Sequence, residues 1–253
     1  VDVNNNPLNP IINTRSFSED PGIVSEYAAQ YIRGLQENGM ISTAKHFPGH
    51  GDTQTDSHSS LAMIPSDSSR LWSVELKPFI DVANAGVDAI MIAHVHAPDF
   101  QPESDIPATL SKFWVTDILK NKIGYKGIII TDGMGMGGVT KNYADDYAII
   151  EAVKAGCDVI IQNYDIVGSI NAIEDAVKNN EISIEQINSS ALKMLKMKEN
   201  AGLHLNPFVD LDFMMKTIGI KEHREASDRI STEAITLVKD EKNLLPLDVD
   251  LKD

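Results

Sequence analysis

The sequence predicts an α/β fold on a parallel sheet, and a (β/α)8 TIM-type barrel in preference to an open doubly wound sheet. Three observations carry this: four short apolar runs rich in β-branched residues, helical patterns between them, and polar residues where the runs end. The runs are residues 41–47 (ISTAKHF), 87–95 (VDAIMIAHV), 127–131 (GIIIT) and 157–162 (CDVIIQ). Near-continuous hydrophobicity, without strict alternation, is what strands covered on both faces require.

Between the runs, residues 25–38 place Tyr27, Tyr31, Ile32 and Leu35 on one helical stripe and then meet Gly39. Residues 69–84 carry Leu71, Val74, Phe79 and Val82 and stop at Ala85-Gly86, 111–122 stop before Ile123-Gly124, and 145–155 precede Gly156. Strand, helix and glycine thus alternate with the cadence of a parallel α/β fold. His46, His94 and Asp132 stand at strand ends, where both architectures build sites. No GxGxxG follows any strand, and Gly133 to Gly138 has the wrong spacing for one, which favours the barrel. After Ser183 the pattern turns helical to about Asn200; a further helix is expected at 222–234, then a strand-like run, Ala234 to Val238.

The 253 residues include 37 Asp+Glu against 22 Lys+Arg, a formal charge of -15 that repels phosphate backbones and anionic lipid. Nucleic acid is therefore not an expected partner. No stretch approaches the roughly 18 to 20 apolar residues that span a bilayer, so no membrane span is expected. No signal peptide is visible; Val1, not Met, stands first, which leaves room for a removed targeting segment. The single cysteine, Cys157, excludes an intrachain disulfide and sits in an apolar run, where it reads as buried packing.

Residues 45–58, KHFPGHGDTQTDSH, bring a cation, three histidines and two carboxylates to the end of the first strand, with Pro48, Gly49 and Gly51 imposing turns. Lys45 and His46 are donors suited to polar substrate groups. Asp56 and His58, one residue apart, project to the same side of an extended loop, so the carboxylate can orient the imidazole as in a catalytic dyad. Asp132, at the end of a buried strand, reads as nucleophile, general base or metal ligand, or as the N-cap of a following helix.

KHFPGHG followed by DSH, together with ITDGM, resembles family three of the glycoside hydrolases, in its β-N-acetylglucosaminidase branch. Asn13 to Phe17 with Asp20-Pro21, and Pro107 to Ser111, also resemble that branch. Residues 235–239 with Asn243-Leu244-Leu245-Pro246-Leu247 resemble its lead-in to a second α/β domain. The resemblance implies an eight-stranded barrel that begins here near the end of its third strand, so residues 1–200 are expected to be a partial catalytic barrel. Residues 201–253 are expected to be a linker and the beginning of a C-terminal α/β domain, a partner of the barrel in the full-length chain. It further implies Asp132 as nucleophile, His58 as general acid/base with Asp56 as its partner, and Arg15, Lys45 and His46 as ligands of sugar hydroxyls. A further sugar-holding acid is expected upstream of Val1. No cofactor or metal is implied. Gly133 and Gly135 depart from the family, standing where bulkier residues are common.

The expected activity is retaining hydrolysis of terminal N-acetylglucosaminides, on cell-wall or related glycosides. The alternatives are a phosphorylase, favoured by an acid/base that does not repel an anion, and a β-glucosidase, whose family relatives generally lack the DSH loop. A metal-binding α/β scaffold using His94 and His96 with His46 or His58 is the non-enzymatic alternative, and a degenerate, inactive relative the last. By analogy the compartment is a bacterial periplasm or cell envelope, or the cytoplasm. His50 reads as a turn residue without a visible partner, His94 as lining the barrel mouth or as a hydrogen-bonded structural histidine, and Asp52 as loop-shaping. Trp72, Trp114, Met134 and Met136 read as packing.

Overall fold

Each of the four apolar runs forms a strand in the computed structural model, which describes residues 1–65, 67–101, 105–162, 164–242 and 244–245. Among the described residues the strands are β1 (Thr43–Phe47), β2 (Ala62–Met63), β3 (Ala89–Ile92), β4 (Val95–His96), β5 (Ile128–Gly133) and β6 (Val159–Ile161). β1, β3, β5 and β6 make one sheet in that order, with every pair parallel, and β2 pairs parallel with β4. A doubly wound sheet reverses its strand order at a switch point. Here the order follows the chain without reversal, as in a barrel, and the described strands are an arc of that architecture.

The helices of the first unit, Val1–His204, are α1 (Pro21–Glu37), α2 (Ser68–Ser73), α3 (Lys77–Asn84), α4 (Gly137–Thr140), α5 (Asp145–Ala155), α6 (Ile166–Lys178) and α7 (Ile184–Asn200). Asp20 caps α1 by accepting from Gly22 and Ile23 N–H, and Pro21 opens it. The buried face of α1 is Val24, Ser25, Ala28 and Ile32, whereas Tyr27 and Tyr31 are exposed. The small residues, not the tyrosines, meet the sheet, because close packing selects side-chain volume as well as helical spacing. The helix expected over 69–84 is two: Pro78, in the first turn of α3, has no N–H to continue the ladder from α2. Residues Phe113–Lys122 form a widened π-type helix. Its next residue, Ile123, donates to Ile118 O at 2.8 Å, five residues back. Gly39, Gly86, Gly124 and Gly156 all take positive φ where helices end.

The starting ends of the strands are stitched by side chains. Asp88 Oδ2 accepts from Ser42 N–H (2.9 Å) and Oγ (3.1 Å), tying the entry of β3 to that of β1. Asp158 accepts from Ile129 N–H (3.0 Å), Lys193 Nζ (2.8 Å) and Ser190 Oγ (2.8 Å), tying β6 to β5 and to α7. The core lies between sheet and helices, where Phe47 meets Phe79 and Trp114 edge-on at 5.3 and 6.0 Å. Cys157 is buried there, with its thiol pushed up to about 12 by desolvation.

The second unit, Leu205–Asp253, contains α8 (Leu211–Thr217) and α9 (Lys221–Glu233). The run expected as a strand at 234–238 has no regular structure, and Ile235, Leu237 and Val238 are exposed. A strand exists only by pairing, and none of the described residues pairs with this run. Asn243, Pro246 and Leu247 of the motif that follows lie outside the described residues. Among those described, no helix is long and apolar enough to cross a membrane.

Phe47 is fully buried and carries the backbone that leads from the core to the rim. Phe47→Ala is expected to cost about 3–5 kcal/mol by leaving a cavity, and thermal denaturation should show it as a fall in Tm with the fold retained.

Candidate active site

Parallel register sends β1, β3 and β5 to one rim, and the polar residues of the sequence collect there. The first surprise lies upstream of β1. Asp2, buried and not anticipated from sequence, accepts from His46 Nδ1 (2.8 Å), His46 N–H (3.1 Å) and His50 N–H (2.8 Å). Burial opposes its charge. The His46 imidazole and the hydrogen bonds from His46 outweigh that and hold the carboxyl well below its usual range. His46 is thereby fixed with Nδ1–H on the carboxylate, which leaves Nε2 for another partner. Only a glycine fits at position 51, where an added Cβ would stand 1.9 Å from Val3 O. The turn of KHFPGHG is therefore folded tightly over the segment that carries Asp2.

His50 is not a partnerless turn residue. It is 1% exposed, with Nδ1 2.6 Å from Thr53 Oγ1 and Nε2 2.9 Å from Ser57 Oγ. Asn9 Nδ2 donates to His50 O (2.8 Å) and Thr53 O (3.0 Å), closing the loop from below. Asp52 accepts from Arg70 at 2.7 Å, which accords with a loop-shaping role.

Asp56 and His58 meet as expected: Nδ1 of His58 lies 2.7 Å from Asp56 Oδ1, which also accepts from His58 N–H at 2.8 Å. The local geometry is a turn and not an extended loop, since Ser59 and Ser60 N–H donate to Asp56 O. A turn in which an aspartate accepts from the residue two ahead reaches the same pairing by a shorter route. Slight burial works against the Asp56 charge, but the backbone and ring N–H groups of His58 prevail and lower its pKa. The His58 side chain is 64% exposed, so its ring stands open to a ligand.

Asp132 is half-buried in β5, and its Oδ1 accepts from Gly133 N–H at 2.8 Å. It is not a helix cap, because α4 begins after Met136. The segment after Asp132 is bonded to the dyad loop: Gly137 N–H donates to His58 O (2.9 Å) and Gly138 N–H to Ser57 O (3.0 Å). Gly135 lies under the ring of Tyr164, an exposed aromatic after β6, so that an added Cβ would stand 2.4 Å from Tyr164 Cε2 and the ring would have to swing aside.

His94 is the structural histidine of the two readings offered for it. It is fully buried, with Nε2 3.0 Å from Gly133 O and Nδ1 2.8 Å from Thr109 Oγ1. Burial pushes its pKa down, against the Gly133 carbonyl and the Asp132 charge, which favour the proton. The neutral ring donates from Nε2 to Gly133 O and braces the residue next to Asp132. His96 faces Gln101 Oε1, which also accepts from Trp114 Nε1. Among the described residues no group of three His, Cys, Asp or Glu side chains could hold a metal ion.

Arg15 ends a short 3-10 turn, Asn13–Arg15, and donates to Ile11 O at 3.1 Å. Arg15, Lys45 and His46 line one cavity of about 400 Å³, with Ala28, Ile32 and Leu35 among its apolar walls. Asp56, His58 and Asp132 do not line it, so the predicted residues fall into a cationic cluster and a dyad-carboxylate cluster. His46 joins them through Asp2 and His50. A further cavity of about 370 Å³, lined by Asp88, Lys126 and Lys193, lies at the opposite, starting ends of the strands. Asp2, Asn9, Thr53 and Thr109 were missed from sequence. The Asn- and Pro-rich opening, residues 1–10, was the available signal for Asp2 and Asn9, whereas Thr53 and Thr109 lie within the 45–58 stretch and the Pro107–Ser111 segment.

A parallel β/α arc that gathers a His–Asp pair and a strand-end carboxylate at one rim has the architecture of the barrel enzymes, which build their sites at the ends of their strands. The chain belongs to glycosyl hydrolase family 3: residues 1–197 match the family described as "Glycosyl hydrolase family 3 N terminal domain". It is 33% identical over 266 residues to beta-hexosaminidase A of Pseudoalteromonas piscicida, covering 98% of this chain and 44% of that protein. It is 36% identical, with a TM-score of 0.87, to the solved family 3 beta-N-acetylglucosaminidase of a Paenibacillus species, covering 95% of this chain and 46% of that one. A solved beta-glucoside phosphorylase is similar at 27% identity and TM-score 0.91, over 97% of this chain and 46% of that one. The chain thus spans about half the length of the relatives it matches.

Burial lowers His50 and His94 below their ordinary 6.5. Both are neutral when folded, so below about pH 6.5 the unfolded chain binds more protons and stability is lost on acidification. Tm is expected to be level from pH 8 to 7 and to fall from pH 6.5 toward 5; a Tm that is flat or rises over that lower interval would contradict the assignment.

Proposed function

We propose that this chain is the catalytic barrel portion of a retaining β-N-acetylglucosaminidase that removes terminal N-acetylglucosamine from cell-wall or related glycosides. The observation that carries the reading is the 2.7 Å His58–Asp56 pair, on a loop whose backbone is bonded to the segment following Asp132. A glycosidic bond breaks through an oxocarbenium-like state, which needs an anion below the anomeric carbon and a proton for the departing oxygen.

In this reading the Asp132 carboxylate attacks the anomeric carbon as His58 delivers its proton to the leaving oxygen. The product alcohol departs and a glycosyl ester remains on Asp132. His58, now neutral, takes a proton from water, which attacks the same carbon and frees Asp132, so configuration is retained. Asp56 holds Nδ1–H and stabilises the imidazolium, which leaves Nε2 to exchange the proton. An imidazole has an ordinary pKa near the working pH and needs less adjustment than a carboxyl would. Arg15, Lys45 and His46 supply donors for sugar hydroxyls in this reading, His46 through the Nε2 that its bond to Asp2 leaves for another partner. The names of the beta-hexosaminidase and beta-N-acetylglucosaminidase relatives support this substrate class.

Phosphorolysis is the second reading, supported by the likeness to a beta-glucoside phosphorylase and by an acid/base that bears no negative charge. Phosphate-dependent release of sugar 1-phosphate from the full-length protein would select it over hydrolysis.

His58→Gly is expected to retain most of its glycosylation, read as kcat/KM, on nitrophenyl N-acetylglucosaminide, whose leaving group needs no proton, and to lose about 10²- to 10⁴-fold in kcat/KM on alkyl glycosides. Asp132→Ala should abolish both. Equal loss on both substrates in His58→Gly would remove His58 from the acid/base role.

A further inference from the structure

We propose that His50 is a positioning residue for the acid/base dyad: it holds Ser57, the residue between Asp56 and His58, and thereby sets where the His58 ring stands. The proposal rests on the reading of Asp56 and His58 as the dyad.

The dyad presents a physical difficulty. Its side chains are 36% and 64% exposed on a surface turn, where a side chain has little packing to keep it in one place. Proton delivery in a glycosidic transition state needs the donor within hydrogen-bond reach of one oxygen. The residue between them resolves this. Ser57 is 1% exposed and points inward, with its Oγ 2.9 Å from His50 Nε2.

His50 is itself immobilised from every side. Its N–H donates to Asp2 Oδ1, its carbonyl accepts from Asn9 Nδ2 and Thr53 Oγ1, and its Nδ1 is 2.6 Å from Thr53 Oγ1. One assignment of protons fills every contact. With the single Thr53 hydroxyl hydrogen given to His50 O, Thr53 Oγ1 accepts from His50 Nδ1–H. A neutral ring then has a bare Nε2, which accepts from Ser57 O–H. For a neutral imidazole only this assignment places one proton in each of the three contacts.

A second restraint acts from the opposite side, where Gly138 and Gly137 N–H hold the carbonyls of Ser57 and His58. The dyad turn is thus pinned between the KHFPGHG turn and the segment after Asp132. Asp2, which fixes the His46 ring, also fixes His50, so one buried carboxylate aligns a sugar-binding side chain and the acid/base turn together.

The test uses the full-length protein with an alkyl and a nitrophenyl N-acetylglucosaminide, and amide hydrogen exchange over residues 56–60. Ser57→Ala removes the latch without altering the buried imidazole. It is expected to lower kcat/KM, which reads glycosylation, about tenfold on the alkyl glycoside, as part of the general-acid contribution is lost, and less than about twofold on the nitrophenyl glycoside. KM should stay within about twofold, and exchange in the turn should accelerate. His50→Gln, whose side-chain oxygen can accept from Ser57, should keep more alkyl-glycoside activity than His50→Leu. Equal losses on both glycosides, or no loss and unchanged exchange in Ser57→Ala, would overturn the proposal. A parent that cleaves neither glycoside would overturn the dyad reading and this proposal with it. A parent that shows His58→Gly leaving-group dependence but no Ser57→Ala effect would overturn the latch alone.

Discussion

The buried carboxylate of Asp2 is the interaction on which the site depends. An ionised carboxylate removed from water costs several kcal/mol unless its lone pairs are met. Here they are met by three N–H groups from residues 46 and 50. The donors come from both ends of the Pro48-Gly49 turn, so satisfying Asp2 and folding that turn are one event. Removing either side would leave a buried charge or an unpaired backbone N–H. The turn's tight contact at Gly51 and the inward ring of His50 follow from this arrangement.

Around that point the barrel arc separates stability from chemistry. At the starting ends of the strands, Asp88 and Asp158 cross-link neighbouring strands and engage Ser42, Ser190 and Lys193. At the other ends, Asp132, His58 and Lys45 are partly or well exposed and bear charge or exchangeable protons. Parallel register makes the division possible, because every strand contributes the same end to the same rim. His94 joins the two regimes. It is wholly buried, yet it grips the carbonyl beside Asp132 and so brings core rigidity to the position of a reactive group.

Much of this was legible in the sequence where the signal was local. The four apolar runs became the four strands of the main sheet, and the pairing of Asp56 with His58 followed from their spacing. Other expectations failed where packing chose among local options. The tyrosines of α1 lie outside because the helix meets the sheet with Ala28 and Ile32. One expected helix is two because Pro78 interrupts the ladder, and the run at 234–238 is not a strand because nothing described pairs with it. His50 had no visible partner in sequence, although its partners Thr53 and Ser57 are only three and seven residues away. Periodicity does not describe a turn that doubles back on itself.

By itself the sequence determined the order of the four main strands, the helices between them, the glycines that end those helices, and the residue types at each strand end. These depend on intervals of two to four residues, which backbone geometry alone converts into faces and turns. The tertiary structure decided which distant groups meet: Asp2 with His46 and His50 across more than forty residues, His94 with the carbonyl beside Asp132, and Tyr164 against Gly135. Such meetings depend on strand register and on the path of each crossover. Those are set by the packing of the whole core, and no short interval of the chain encodes them.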